Sequence, residues 1–530
     1  MHYTTINALD DDILFIIFSY YRLDKDNAWN VRLEWRRLSH VCQKWRYLVY
    51  DLAFHLGIYI LCTNGTPKVD TLDHLPSLPL SIDYQGTTVN ISQQDVLAIP
   101  HALRLSDRVR RIALHLPPSI LHNILMHMGE PFSMLVHLSL SSASTRDTSL
   151  VLPKTCLAPN LRHLTLLGIS LPKRLRLLSS TPSLVTLVLK DIRASGYFRP
   201  RSLVARLGSL PQLEELSVGF SIPIPRPSAE KELLGKWGIP VILPNLKLFR
   251  FQGVSAYLER IVAQIRAPLL EQFDISLFNQ IAFALPHLFH FANITEGLKL
   301  PVVEVKFAHD KVSIIMGHHN VQQHNGRFTF HVICRQLDWQ IDCAAQICGA
   351  LMPVLFGVEK LTLNFYAQMM PTEWQNGEID GTTWHELLRT FSGVNELHIC
   401  AALLEELSRA LRVNDAGPDP GLLPGLQEIV CGCKERHARK LFHSFIHARG
   451  VAGRPVTITK GTTMEYPTLD DIIEEVKRSV PRSEYESFLL TQTIQISYLG
   501  HWSCQLILVL FPRSVSTNLS LVWRWKVVPD

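Results

Sequence analysis

The chain is 530 residues long, beyond the size at which one compact core stops growing, so it is expected to form several domains or one elongated repeat array. Charged residues make up 19% and hydrophobic residues 47%, which excludes a largely disordered chain. A formal net charge of +5 is small for this length and gives no basis for binding nucleic acid or an anionic membrane.

In chain order, the first expected element is a helix opening at Leu9. Asp10, Asp11 and Asp12 suit its N-terminus, where carboxylates face the positive end of the helix dipole, and Leu9, Ile13, Ile16, Ile17 and Tyr20 recur behind them at helical spacing. A second apolar stripe follows at Leu38, Val41, Cys42 and Trp45. Two helices this short cannot bury enough apolar surface to be stable alone, so they are expected to dock on the rest of the chain, on a partner, or on both.

Leu9, Ile17, Phe18, Val41, Cys42, Trp45, Arg46 and Leu48 stand where F-box proteins, above all the large F-box families of mushroom-forming fungi, carry an opening Leu-Pro, a helix ending in Ile-Phe and a closing Val-Cys-x-x-Trp-Arg-x-Leu. The chain resembles that family over about its first 85 residues, because Leu61 to Pro67 and Leu75 to Tyr84 also look like it. It departs at Asp10, where proline is usual, and at Ile16, where an acidic residue is common. The resemblance implies an F-box over residues 1–52 that binds a Skp-type adaptor of a cullin-RING ubiquitin ligase, with Leu9, Ile13, Ile17, Phe18, Val41, Cys42 and Trp45 facing the adaptor. The structural alternative is a remnant that packs only against the repeats behind it.

Residues 53–108 are expected to hold a linker and first irregular repeat units. From residue 109 a strand signature, apolar-x-x-apolar-x-apolar, returns eleven times. Its starts are Val109, Leu135, Leu161, Leu184, Leu213, Leu246, Leu270, Val302, Val358, Val394 and Leu426, mostly 23 to 36 residues apart, with a gap of 56 after Val302 that holds one divergent strand near Phe328. Pro-containing turns such as Ala158-Pro159-Asn160 and Leu243-Pro244-Asn245 precede several strands, and helix-compatible pieces (173–178, 256–265, 401–411) lie between them. The fold class expected is α/β: a short helical F-box followed by an irregular leucine-rich-repeat-like solenoid over 109–458, with a parallel sheet on its concave side. Residues 459–530 are read as a cap, with a helix over 469–478, and an unassigned tail.

Strand residues alternate, so Arg111, His115, His137, Ser139, Ser141, His163, Thr165 and Lys190 are expected on the outward side of the early strands. Of these, Arg111, His115, His137, His163 and Lys190 are the candidate substrate-binding residues, suited to an acidic or phosphorylated segment, with His137 and His163 as neighbours. The later face (Glu215, Arg250, Asp274, Glu304, Lys306, Lys360, Glu396, His398, Glu428) is mixed in charge.

Cys431, Cys433, His437, His443 and His447 form the densest ligand-like cluster, and a His443–His447 pair on one helix face could hold a metal. Cys-x-Cys is too tight for an ordinary zinc knuckle, however, so a core cysteine beside a solvated helix is expected, with no metal and no cofactor. His318, His319 and His324 are read as a loop. No nucleophile elbow, Walker loop or zinc-protease helix is present, so the chain is expected to be no enzyme itself. Ten irregularly spaced cysteines and the absence of an N-terminal basic-then-apolar leader point to a reducing compartment, cytoplasmic or nuclear. The function implied is the substrate-recognition subunit of a Skp-cullin-F-box ligase, with adaptor, cullin and an unknown protein substrate as partners; the alternative is a repeat scaffold with no ligase.

Overall fold

A computed structural model describes residues 9–21, 34–461 except 54, 67, 73–76, 87–90, 143–149, 173–175, 222–239, 279, 281–282, 284, 295–300, 309, 318–326, 335, 366–380, 412–421 and 433–434, and also 493–498 and 502–507. The chain divides into two compact units, Met1–Gly461 and Thr462–Asp530.

Among the described residues, three helices open the first unit: α1 (Asp11–Tyr21), α2 (Glu34–Ser39) and α3 (Gln43–Asp51). Asp11 and Asp12 sit in the first turn of α1, as helix electrostatics favour. Cys42 caps α3, its Sγ accepting from the Trp45 N–H at 3.5 Å. Leu14, Phe18, Leu38, Trp45, Leu48, Val49 and Leu56 form a small core of their own, while Tyr50 and Ile58 touch both this core and the large one behind it.

A large, mostly parallel sheet, of sixteen strands among the described residues, follows. In chain order these are β1 (Ile60–Cys62), β2 (Leu80–Gln85), β3 (Val109–Leu116), β4 (His137–Ser142), β5 (His163–Leu167), β6 (Thr186–Ile192), β7 (Glu215–Phe220) and β8 (Leu248–Gly253). Then come β9 (Gln272–Phe278), β10 (Val302–Phe307), β11 (Lys311–Gly317), β12 (Arg327–Ile333), β13 (Lys360–Phe365), β14 (Glu396–Ile399), β15 (Glu428–Cys431) and β16 (Thr457–Lys460). The repeat signature marks the buried side of this sheet. Ile112, Leu138, Leu164, Leu187, Leu216, Phe249 and Phe273 pair strand to strand in one continuous row, and every one of them is fully buried. Helices including Pro118–Leu125, Pro200–Leu207, Ser255–Val262 and Leu337–Ala350 add their apolar faces to the same core. Two of the Pro-Asn turns are tied to the turn before them: Asn160 Nδ2 donates to the Ser133 carbonyl at 2.7 Å and Asn245 Nδ2 to the Pro211 carbonyl at 3.0 Å.

The expectation of a uniformly parallel sheet in chain order fails in the middle. Across the sheet β9 is followed by β12, β11 and β10, and only then by β13. β11 runs antiparallel to both β10 and β12, whereas β9–β12 and β10–β13 are parallel pairs. The divergent strand near Phe328 is therefore real, but it takes the place beside β9 that the signature at Val302 was expected to fill. Aromatic packing accompanies the exchange: Phe249, Phe273 and Phe328 stack in series, with ring centroids 5.0 and 5.1 Å apart. The gap of 56 residues in the repeat frame is thus filled by a meander and the helix Leu337–Ala350.

Of the other expected helices, 256–265 corresponds to Ser255–Val262, 401–411 to a short 3-10 turn (Ala401–Leu403) running into Leu404–Ala410, and 173–178 to Arg176–Ser179. The capping helix over 469–478 and the histidines at 318, 319 and 324 lie outside the described residues. In the second unit, Thr493–Tyr498 and Trp502–Ile507 pair antiparallel. Among the described residues no helix is long and apolar enough to cross a membrane.

Candidate partner-binding surfaces

The helical unit divides its apolar residues between two faces. Leu14 and Phe18 turn inward, with Phe18 packed edge-on against Trp45 at 4.9 Å. Ile13, Ile16, Ile17 and Tyr20 are 45, 53, 41 and 70% exposed, and they lie at i, i+3, i+4 and i+7, one open stripe along α1. Val41 is also exposed; Leu9 and Cys42 are half-buried. Of the seven residues expected to face an adaptor, Phe18 and Trp45 thus hold the helices together and are not on the open surface, because large aromatic rings supply most of the area such a small core can bury. Tyr20, left out of that set, is the most exposed member of the stripe; its place in the helical spacing was the available signal. Lys44 fixes the geometry, its Nζ donating to the Leu9 carbonyl at 2.7 Å and pairing with Asp11 at 3.0 Å.

On the sheet, alternation places the expected outward residues at exposed or half-buried positions throughout. In the first row, Ser81, Arg111, His137, His163, Thr186 and Glu215 are successive partners across β2 to β7. A second row runs through Asp83, Ala113, Ser139, Thr165, Val188 and Ser217, and a third through Gln85, His115, Ser141, Leu167 and Lys190. The four strands β3 to β6 therefore present no carboxylate in these rows.

His137 and His163 are neighbours, as their equivalent positions require, with ring centroids 5.8 Å apart. Burial pushes the His137 imidazole down to about 4, assisted by the charge of Arg111 and by His163. Burial likewise lowers His163, followed by the charges of Arg162 and Arg111. Both imidazoles are thus held below the ordinary histidine range. His163 Nδ1 lies 3.2 Å from Thr186 Oγ1, and His115 Nδ1 lies 3.0 Å from Ser141 Oγ.

The later face is electrostatically closed on itself. Arg250 bridges Glu215 at 3.0 Å and Asp274 at 3.4 Å, Lys306 pairs with Glu304 at 3.0 Å, and Lys360 with Glu396 at 2.9 Å. Glu396 also takes a hydrogen bond from His398, and Glu428 accepts one from Thr459 at 2.6 Å. Arg111, in contrast, is exposed and has neither a hydrogen bond nor an ion pair among the described residues.

For the metal-like cluster, Cys431 is fully buried at the end of β15, and Cys433 lies outside the described residues. His443 and His447 are exposed on the helix His443–Val451, their rings stacked 6.3 Å apart. Among the described residues no three His, Cys, Asp or Glu side chains converge as a metal site. No protein-family model matches this chain, and no curated protein is significantly similar to it.

Proposed function

We propose that this chain is the substrate-recognition subunit of a Skp-cullin-F-box ubiquitin ligase, in which α1 to α3 bind the Skp-type adaptor and the sheet, read as the concave face of a leucine-rich-repeat-like solenoid, holds a protein substrate. One observation carries the reading: the helical unit, with its own core, leaves an unbroken apolar stripe of Ile13, Ile16, Ile17 and Tyr20 open, and Val41 is exposed as well. Burying one such side chain is worth about 1.5–3 kcal/mol, so a stripe of this size supports a stable docking contact. In this role the chain does no bond chemistry; it supplies proximity and orientation to the other subunits. Such a complex would work in the cytoplasm or nucleus.

A second reading, a protein-binding scaffold with no ligase, is favoured by the way Tyr50 and Ile58 join the helical core to that of the sheet, as expected of a remnant F-box. Co-purification separates the two. Tagged full-length chain should retain adaptor and cullin; a preparation that retains neither, while binding other proteins, makes the chain a scaffold.

A further inference from the structure

The chain leaves the meander β10–β12 through Cys334, the residue after β12, and turns at once into the helix Leu337–Ala350. Gln340 sets that helix against the turn. Its Nε2 donates to the Cys334 carbonyl at 2.9 Å and to the Ala308 carbonyl, just past the end of β10, at 2.7 Å. Cys343 stands three residues further along than Gln340, on the same buried face of the helix. The two anchoring bonds therefore hold the Cys343 side chain against Cys334, and the two thiols are hydrogen-bonded to each other. The Cys334 S–H has two acceptors in reach, the Cys343 sulfur and, at 3.7 Å, the Val332 carbonyl. Cys334 is 4% and Cys343 3% exposed, but Ile333 and Gln336 on either side of Cys334 are exposed, so the pair lies just under the surface.

We propose that Cys334 and Cys343 form an oxidation site at which a small hydroperoxide joins the two sulfurs in a reversible disulfide, tying the helix Leu337–Ala350 to the end of β12. The site does not depend on the ligase reading. Roles follow from the hydrogen bond between the thiols. It holds the Cys343 thiol below the ordinary cysteine range, whereas the same bond, with burial behind it, pushes Cys334 up. Cys343 is therefore the attacking thiolate and Cys334 the resolving thiol. The Cys343 thiolate attacks one oxygen of hydrogen peroxide, the O–O bond breaks, and the hydroxide released takes up the proton that Cys343 gave up on ionising. This yields one water and leaves Cys343 as a sulfenic acid. The Cys334 sulfur then attacks the Cys343 sulfur, the S–S bond forms, and the sulfenic hydroxyl leaves with the Cys334 proton as a second water. Two thiols and one peroxide become one disulfide and two waters. Burial selects the oxidant by size, since hydrogen peroxide is scarcely larger than water while a glutathione disulfide or a redox enzyme cannot reach a sulfur this enclosed. Cys156 and Cys348 are as deeply buried, and burial alone pushes both up, so neither offers a thiolate. The bridge removes freedom from the unfolded chain, which makes the oxidised protein the more heat-stable form.

The test uses the full-length chain, reduced, freed of reductant and treated with hydrogen peroxide while folded, then alkylated in denaturant and cleaved with trypsin for mass spectrometry. Cleavage after Arg335 puts Cys334 in peptide 328–335 and Cys343 in peptide 336–360, so the disulfide joins two peptides that otherwise run apart. The joined pair is expected, separable by dithiothreitol, with fragmentation placing the bond on Cys343 and not on Cys348, which shares its peptide. Cys348→Ser should keep the link and Cys343→Ser should lose it. Oxidation should raise the thermal midpoint of the wild type and leave that of Cys343→Ser where it was. A bond to Cys348 overturns the proposal, as does the absence of a joined pair at a peroxide dose that oxidises half-buried Cys42. So does a link that forms only when peroxide is added to the unfolded chain. The mapping on wild-type protein needs no substitution, so it decides the question even if a variant fails to fold.

Discussion

The imidazoles of His137 and His163 lie 5.8 Å apart at paired positions on adjacent parallel strands, and both are held below the ordinary histidine range. Burial is the first cause for each, and the Arg111 charge acts on both. The pair is therefore neutral near pH 7 despite its position on an outward face.

This has a consequence for stability with a definite sign. An unfolded histidine takes up its proton near pH 6.5, whereas His137 in the folded chain resists it down to about 4. Between those values the unfolded state binds more protons, so the contribution of His137 to stability is complete above about pH 6.5 and is lost as pH falls toward 4. His137→Asn should flatten this part of the stability profile. Denaturant titrations at pH 7, 6, 5 and 4 provide the check, and equal slopes in wild type and variant would contradict the assigned shift.

The stripe on α1 and the small core behind it should respond differently to mutation. Ile13→Asp with Ile17→Asp places charges on exposed positions, so it should abolish adaptor co-purification with little change in the thermal transition. Trp45→Ala removes the ring packed on Phe18 and should destabilise the helical unit by about 3–5 kcal/mol, read as increased proteolysis before residue 60. Wild-type adaptor binding by the double aspartate variant would remove the docking face from α1.

The exchanged strand order makes a quantitative claim about coupling. Phe273 and Phe328 stack at 5.1 Å with nearly parallel rings, so a double-mutant cycle between Phe273→Leu and Phe328→Leu should return an interaction energy of about 0.5–1.5 kcal/mol. The same cycle between Phe273→Leu and Val303→Ala should return close to zero, because β10 pairs with β13 and β11 and not with β9. The reverse result would restore β10 to the place beside β9.

Glu259 starts a helix that is not its own. Its two carboxylate oxygens accept the backbone N–H groups of His287 at 2.8 Å and Leu288 at 2.9 Å, in the first turn of Pro286–Ile294. Glu259→Ala removes the carboxylate that receives both N–H groups, that of Leu288 in a buried setting, and should cost about 1–3 kcal/mol, while Glu259→Gln should recover part of that loss. Chemical denaturation of the three proteins measures it.

Much of the sheet could be read from the chain because alternation is a local property. Once Leu138 and Leu140 are known to face inward, His137, Ser139 and Ser141 must face out, and no distant contact is needed to decide it. The Pro-Asn turns were legible as turns too, although the carbonyls that Asn160 and Asn245 bind lie 27 and 34 residues earlier. Three matters depended on contacts between distant residues, and the tertiary structure alone decided them. The signature at Val302 is equally compatible with β9 or β13 as a neighbour, and the choice falls to whichever partner completes the phenylalanine stack across β9. Phe18 shares a helix with Ile13 and Ile17, and Trp45 sits on a later one, but only the packing of the two rings shows that they turn inward while the isoleucines stay out. The charge state of His137 follows from its burial and from an arginine 26 residues earlier in the chain, brought alongside by strand pairing. Periodicity states which side of an element a residue occupies; what lies against that side is a property of the folded chain.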